Sequence, residues 1–439
     1  MNYEETIHYL FNRTANYEQQ GVAGYKEGLD TMLALDKHFG HPHKHFRSIH
    51  VAGTNGKGST SHLIAAMLQI CGYRVGLYTS PHIVDFCERI RVNGLPITEE
   101  YVTKFVDKER AFFEPLKPTF FEITTAMAFQ YFKETDVDIA VIEVGLGGRL
   151  DSTNIITPIL SVITNISLDH TRLLGTSIEQ IAIEKSGIIK PGVPVVIGES
   201  TPETHPIFET VALENHSKIV FADDDENKEI IQATQNNDGT IHYRQKNHNE
   251  FRCELSGEFQ PKNMNTALCA LRQLANAGYL ADFGDDRNEK IEQEMNNAFL
   301  NIVKLTGLQA RWQKIKENPT VICDMGHNPG AWTYLSHQLE NTPCRELRVI
   351  FGIADDKDVY SVLEKLPQKA TYFFTKSTNH RALSEMSLKV FGDQFGLKSK
   401  TYPTVEEAYQ AALEGATSDD VIFVGGSAYI ISDLLKKHI

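Results

Sequence analysis

The feature that most constrains this chain is the run Ala52-Gly53-Thr54-Asn55-Gly56-Lys57-Gly58-Ser59-Thr60, set between two apolar segments. Before it, Phe46-Arg47-Ser48-Ile49-His50-Val51 has strand composition; after it, Leu63 to Ile70 has the apolar density of a buried helix. Strand, glycine turn and helix make the βα unit of a nucleotide-binding α/β domain. Glycines let backbone N–H groups close around a phosphate, and the helix N-terminus adds a favourable dipole. Lys57 supplies a cation for β- and γ-phosphates. An extra residue, Gly58, separates Lys57 from Ser59, so the spacing departs from the standard Walker pattern.

The rest of the chain continues the α/β reading. Ile139-Ala140-Val141-Ile142, Ile159 to Ile163 and Val193 to Ile197 read as buried strands alternating with helices, which predicts a mostly parallel sheet covered on both faces. Upstream, Tyr25 to Phe39 has helical spacing, with Leu29, Met32, Leu33, Leu35 and Phe39 as its apolar stripe. Asp223 to Asn249 is polar and reads as an exposed excursion of short strands and turns. From about Asn301 the alternation restarts, with strands at Val321-Ile322-Cys323, Arg348 to Phe351, Thr371 to Phe374 and Val421 to Val424. A chain of 439 residues exceeds one ordinary core. The expected division is an N-terminal P-loop ATPase-like domain over 1–299 and a smaller Rossmann-like α/β domain over 300–439.

Charge and composition exclude several classes of partner. The formal net charge is -14 and no long Lys/Arg run occurs, which argues against nucleic acid. No apolar run approaches the roughly 20 residues of a membrane helix, and the first residues lack a signal-peptide pattern, so no membrane association is expected. Six widely scattered cysteines read as reduced thiols and point to the cytoplasm.

Further residues carry candidate chemistry. Glu143 lies at the end of the apolar strand, where an unpaired carboxylate is costly and a hard cation such as Mg²⁺ would offset the cost. Thr119 and Glu122 fit a helix capping box around Phe120 and Phe121. Taken alone, His170, Lys185 and Asn263 read as a structural histidine, a helix-surface lysine and a helix cap.

Together, Gly53 to Thr60, Tyr78-Thr79-Ser80-Pro81-His82, Phe86 to Gly94 and Val141 to Asn154 resemble the folylpolyglutamate synthase branch of the Mur-type ATP-dependent ligases. The resemblance runs in family order from Tyr25 to Tyr429 and is weakest over Asp223 to Asn249. It implies ATP binding by Gly53, Thr54, Asn55, Gly56, Lys57, Gly58, Ser59, Thr60, Asn263, Arg311, Asp324 and His327. It implies Mg²⁺ on Ser80, Glu143 and His170, and a folate or dihydropteroate site at Thr119, Phe120, Phe121, Glu122, Leu150, Asp151 and Ser152. Lys185 matches a lysine carried as its carbamate, N6-carboxylysine; with Lys57, Glu143 and His170 it completes the catalytic set. The implied reaction activates a folate or dihydropteroate carboxylate as an acyl phosphate, which the amine of L-glutamate attacks while the second domain closes over the site. A monomer is implied as well.

Two local departures stand out. Gln309-Ala310-Arg311-Trp312 lacks the glycine that relatives carry before the arginine, and Gly326 replaces an alanine in Asp324-Met325-Gly326-His327-Asn328-Pro329. The loops Gly352 to Asp358 and Gly425 to Tyr429 are weaker matches. The alternative within the superfamily is an amino-acid ligase acting on a cell-wall precursor; such enzymes carry a separate N-terminal substrate domain, whereas the P-loop here begins at Gly53. A nucleotide switch or kinase, and a non-catalytic binder, are the readings outside it.

Overall fold

Buried aliphatic runs, not alternating ones, form the central strands, as expected where both faces of a sheet are covered. The computed structural model describes residues 1–438 other than 282, 284, 285 and 356, and the side chains of 19 and 22 are also left aside. The described chain divides into two compact units, Met1–Leu308 and Gln309–Ile439.

In the first unit the strands are β1 (Arg47–Ala52), β2 (Val75–Tyr78), β3 (Ile90–Val92), β4 (Leu95–Pro96), β5 (Ile139–Glu143), β6 (Leu160–Ile163), β7 (Val195–Ile197) and β8 (Ile219–Phe221). They lie in the order β4-β3-β2-β5-β1-β6-β7-β8. All pair in parallel except β3, which is antiparallel to both β2 and β4. The two-residue period sorts β5 between two cores. Ile139 and Val141 join Ile49, Val51 and the apolar face of helix Lys57–Ile70, while Ala140 and Ile142 pack with Phe129 and Phe132 of helix Phe120–Glu134.

The polar excursion is a three-stranded antiparallel sheet of β9 (Ile230–Gln235), β10 (Ile241–Gln245) and β11 (Glu250–Cys253). One face belongs to the main core through Ile241, Tyr243 and Phe251. The second unit contains β12 (Gln313–Lys316), β13 (Thr320–Asp324), β14 (Leu347–Phe351), β15 (Thr371–Phe374), β16 (Lys398–Thr401) and β17 (Val421–Gly425), in the order β12-β13-β17-β14-β15-β16. Only β12 runs antiparallel to its neighbour.

Each strand expected from the sequence is present within a residue or two. The helix expected from Tyr25 begins instead at Asp30 and ends at His38. Gly28, at φ +101, breaks the helical path before it. Met32 and Leu35 are buried as the stripe requires, but Leu33 is 51% exposed. The first unit runs to Leu308 because helix Ile302–Thr306 packs on helix Lys57–Ile70, where Thr306 Oγ1 lies 2.7 Å from His62 Nδ1. No helix among the described residues is long and apolar enough to cross a membrane.

Candidate active site

The run Gly53–Gly56 joins the central strand β1 to helix Lys57–Ile70, so the loop opens at the carboxyl end of the parallel sheet. That edge is where ligands bind in open α/β folds. Two of its glycines have no room for a side chain. Gly53 has φ +142, and a Cβ there would lie 1.9 Å from Thr164 Oγ1; Gly56 has φ +81, and its Cβ would lie 2.2 Å from Asn263 Oδ1. The second clash also places Asn263 against the loop.

The segment following β6 braces the loop. Thr54 N–H donates to Asn165 O (2.9 Å) and Asn55 N–H to Asn165 Oδ1 (3.0 Å). Asn55 Nδ2 donates to Ser167 Oγ (3.2 Å), and Thr164 Oγ1 donates to Asn55 O (2.5 Å). Lys57 Nζ folds back onto Gly53 O (3.2 Å) and Thr54 O (3.3 Å), so its ammonium lies over the loop. Gly58, Ser59 and Thr60 are buried in the first helical turn; Gln260 Nε2 donates to Ser59 Oγ at 3.4 Å, and Gln260 Oε1 accepts from Asn263 Nδ2 at 3.0 Å. The polar run Thr164 to Ser167 and Gln260 were not assigned these roles from sequence. The signal available for the former was four polar-rich residues directly after a strand neighbouring β1.

Glu143 ends β5, between β1 and β2, and is 3% exposed. Ser80 follows β2, and its N–H donates to Glu143 Oε2 at 3.1 Å. Adjacent strands thus deliver a carboxylate and a hydroxyl, the hard oxygen donors suited to Mg²⁺, beside the loop. His170 comes from the other side of β1, on the loop after β6. It has left-handed backbone (φ +51), and its Nδ1 lies 2.8 Å from the Tyr17 hydroxyl. Among the described residues no three His, Cys, Asp or Glu side chains gather as a metal-binding group.

Lys185 is not the surface lysine that its helix position suggested; it is 5% exposed. Burial, reinforced by Lys57, pushes its ammonium down to about 7, against the opposing pull of Asp169 and Asp151. Glycine is needed to bring the loop after β5 close to it. A Cβ at Gly148 would lie 2.8 Å from Glu184 O and 2.9 Å from Lys185 O.

The residues expected near folate divide into scaffold and surface. Thr119 and Glu122 form a reciprocal capping box, Glu122 N–H to Thr119 Oγ1 at 3.1 Å and Thr119 N–H to Glu122 Oε2 at 2.6 Å. Burial raises the Glu122 carboxyl above its usual range. Asp151 is also buried and committed to its own loop, accepting from Leu146 N (2.8 Å) and Thr153 N (3.0 Å). Phe120 is covered, whereas Phe121, Leu150 and Ser152 keep partial exposure. The Phe121 ring fills the space that a Cβ on Gly145 would need and stacks 5.8 Å from Tyr78, joining this helix to the loop after β5.

In the second unit, Asp324 ends β13 and is buried. Its carboxylate accepts from Trp312 N and Gly326 N, both at 2.8 Å. Burial raises it, while Arg311, these N–H groups and His327 pull it down. Ala310 and Trp312, flanking Arg311, have φ +55 and +47. The left-handed turn is therefore made here without glycine, held by Ala310 O accepting from Met325 N (3.2 Å) and by the buried Trp312 ring. His327 Nδ1 lies 3.2 Å from Met325 O. In the weaker loop match, Asp356 lies outside the described residues.

Comparison with known proteins places these features in context. Residues 51–271 match the Mur ligase middle domain, and residues 310–428 match the Mur ligase, glutamate ligase domain. The chain is 33% identical to a dihydrofolate synthase/folylpolyglutamate synthase of Bacillus subtilis, over 94% of this chain and 95% of that protein. It is 32% identical to the folylpolyglutamate synthase of Lacticaseibacillus casei, over 98% and 97%. Among solved structures, Escherichia coli FolC in complex with DHPP and ADP superposes with a TM-score of 0.82 at 28% identity, covering 100% of this chain and 97% of that one. A Yersinia pestis folylpolyglutamate synthase/dihydrofolate synthase with AMPPNP and a Mn ion gives 0.80 at 28% identity, covering 100% and 98%.

Proposed function

The chain belongs to the Mur ligase family, in its folylpolyglutamate synthase/dihydrofolate synthase branch, and on that premise we propose the residues that carry its reaction. It is an ATP-dependent acid–amino-acid ligase that joins L-glutamate to folates and uses a divalent cation. The observation that carries the residue assignment is Glu143, a buried carboxylate bonded to Ser80 N–H beside the glycine loop.

In this reading Gly53 to Thr60 bind ATP phosphates through backbone N–H groups, and Lys57 leaves the loop carbonyls for the β/γ-phosphates. Ser80, Glu143 and His170 would hold Mg²⁺, which supplies charge neutralisation on the transferring phosphoryl group. Phe121 presents its ring to the pterin, next to Leu150 and Ser152, while Thr119, Glu122 and Asp151 hold the helix start and the loop in shape. The folate carboxylate attacks the γ-phosphorus, ADP leaves, and the acyl phosphate is attacked by the glutamate amine with loss of phosphate. Positioning and preorganised charge do the protein's share of the work. Asn263, Arg311, Asp324 and His327 serve the nucleotide.

Lys185 as a carbamate fits its surroundings. Only a neutral amine adds CO₂, and a buried lysine brought down to about 7 offers one near neutral pH. Dihydropteroate as a second acceptor, a monomeric state and a cytoplasmic location complete the proposal. The test is ADP release with ATP, Mg²⁺ and L-glutamate, comparing tetrahydrofolate, dihydropteroate and no pterin. Release that needs both glutamate and a pterin is expected. Release with dihydropteroate establishes the second activity, and release independent of pterin and glutamate would overturn the assignment.

A further inference from the structure

The stretch between helices Tyr3–Asn12 and Asp30–His38 touches three separate parts of the site within four residues. Ala15 O accepts from Phe120 N–H (2.9 Å), the first residue of the helix on the folate side. The Tyr17 hydroxyl lies 2.8 Å from His170 Nδ1, with ring centroids 5.6 Å apart. Both Glu18 carboxylate oxygens take Arg89 Nη2 at 2.7 Å. Arg89 is 0% exposed and sits over the Phe120 ring at 5.0 Å. Asn16 sets the local turn: it is buried, and its side chain accepts from Glu18 N at 2.9 Å.

We propose that Tyr17 is a positioning residue for His170, orienting its imidazole so that Nε2 is the nitrogen presented to the divalent cation. This rests on reading His170 as a metal ligand. The argument is one of ring chemistry. A metal takes the lone pair of one imidazole nitrogen, and the other nitrogen then carries the proton. With Nδ1 against Tyr17, the nitrogen left for a cation is Nε2, which lies 3.8 Å from Asp169 Oδ2, and Nδ1–H would then donate to the phenol oxygen. A hydroxyl both donates and accepts, so the contact survives the change from metal-free to metal-bound tautomer. His170 has need of such a partner, since it stands on left-handed backbone in a loop, ahead of a four-residue helix, Thr171–Leu174. Ala15 and Glu18 dock the same stretch on the folate side, so the Tyr17 hydroxyl is held from both of its flanks.

The experiment is Mn²⁺ binding to the full chain with ADP, read by electron paramagnetic resonance, for the native protein and for Tyr17→Phe, His170→Ala and Glu18→Gln. Tyr17→Phe keeps the ring and removes the hydroxyl. It is expected to weaken Mn²⁺ binding about tenfold or more, the usual effect of losing the partner of a metal-bound histidine. Its thermal midpoint and its KM for folate are expected to stay unchanged. Glu18→Gln is expected to raise the KM for folate and leave Mn²⁺ binding within twofold of native. Native-like Mn²⁺ binding in Tyr17→Phe, with a loss in His170→Ala, would overturn the positioning role and leave His170 as a ligand. Native-like binding in both would remove the ligand reading as well. An equal loss in Tyr17→Phe and Glu18→Gln would assign the effect to docking of the stretch and overturn the role of the hydroxyl.

Discussion

Each unit places a cation next to left-handed backbone, and the two units do so by different means. In the first, Gly53 and Gly56 carry the turn, and a Cβ on either would collide with Thr164 or Asn263. In the second, Ala310 and Trp312 adopt positive φ around Arg311 with no glycine between them. L-residues pay roughly 1–2 kcal/mol each for that conformation. The Trp312 ring, 8% exposed and 5.9 Å from Phe423, and its N–H bond to Asp324 offset that cost. Glycine is required where the loop backbone is pressed against neighbouring side chains, because a Cβ has no place there. Where only a projecting side chain is needed, packing can hold the turn.

The comparison is broken most directly at Lys57. If the first turn exists to serve phosphate, Lys57→Ala should lower kcat by about a thousandfold or more, roughly 4 kcal/mol of transition-state stabilisation, with an unchanged unfolding midpoint. Native-like turnover would leave the glycine loop a structural turn. The corresponding break in the second unit is Trp312→Ala, which should cost about 3 kcal/mol or more in denaturant unfolding, because it removes a buried aromatic and the anchor of the turn together. It should also raise the KM for ATP through Arg311. A loss of less than about 1 kcal/mol would show that Asp324 alone holds the turn.

This contrast also explains what could be read in the chain. The glycine loop and Glu143 could be read from their own residues, because backbone geometry and a costly buried charge force particular residue types there, whereas Ser80 and Asp324 were read from resemblance alone. Lys185 was legible by resemblance but not by its own pattern. Ile181 and Ala182 share its helical face, but a lysine on such a face ordinarily reaches out to solvent; its burial depends on the glycine-bearing loop after β5 closing over it. The braces Thr164, Asn165 and Ser167, and the docking of Ala15 to Glu18, are contacts between residues about 70 to more than 150 positions apart. Nothing local distinguishes those residues from ordinary loop polar groups. Leu33 failed the helix stripe although Met32 and Leu35 kept it, because the buried face of this short helix is narrower than its apolar residues suggest.

Lys185 gives a prediction of intermediate size, at the one place where burial, not a turn, tunes the chemistry of the first unit. Its folded-state value lies at about 7, below the ordinary 10.5, so the folded protein releases this proton earlier than the unfolded chain does. Carbamylation therefore should rise as pH increases through about 7 and disappear as pH falls below it. With ¹³C-labelled bicarbonate, a carbamate signal should grow between pH 6 and 8 and be absent in Lys185→Ala, which should regain activity with short carboxylic acids. By linkage, the unfolded state holds more protons between about 7 and 10.5, so this group makes the protein more stable as pH rises across that window. Lys185→Met should flatten that slope. A carbamate signal that persists in Lys185→Ala would place the modification elsewhere.

The smallest effect tests whether the glycine-free turn is merely tolerated or specifically packed. Ala310 has φ +55 and is 0% exposed. Ala310→Gly relieves the left-handed strain, but it also gives up a buried methyl and adds freedom to the unfolded chain, terms of about 0.5–1 kcal/mol each. The contributions nearly cancel, and the unfolding free energy should move by less than about 1 kcal/mol. Ala310→Val removes the cancellation, because a β-branched residue is poorly suited to positive φ and no space surrounds the methyl; it should cost about 2 kcal/mol or more. If Ala310→Gly instead stabilises the second unit by more than 1 kcal/mol, the packing of Trp312 does not offset the strain. The two turns would then differ in how much strain they carry, not in how they are held.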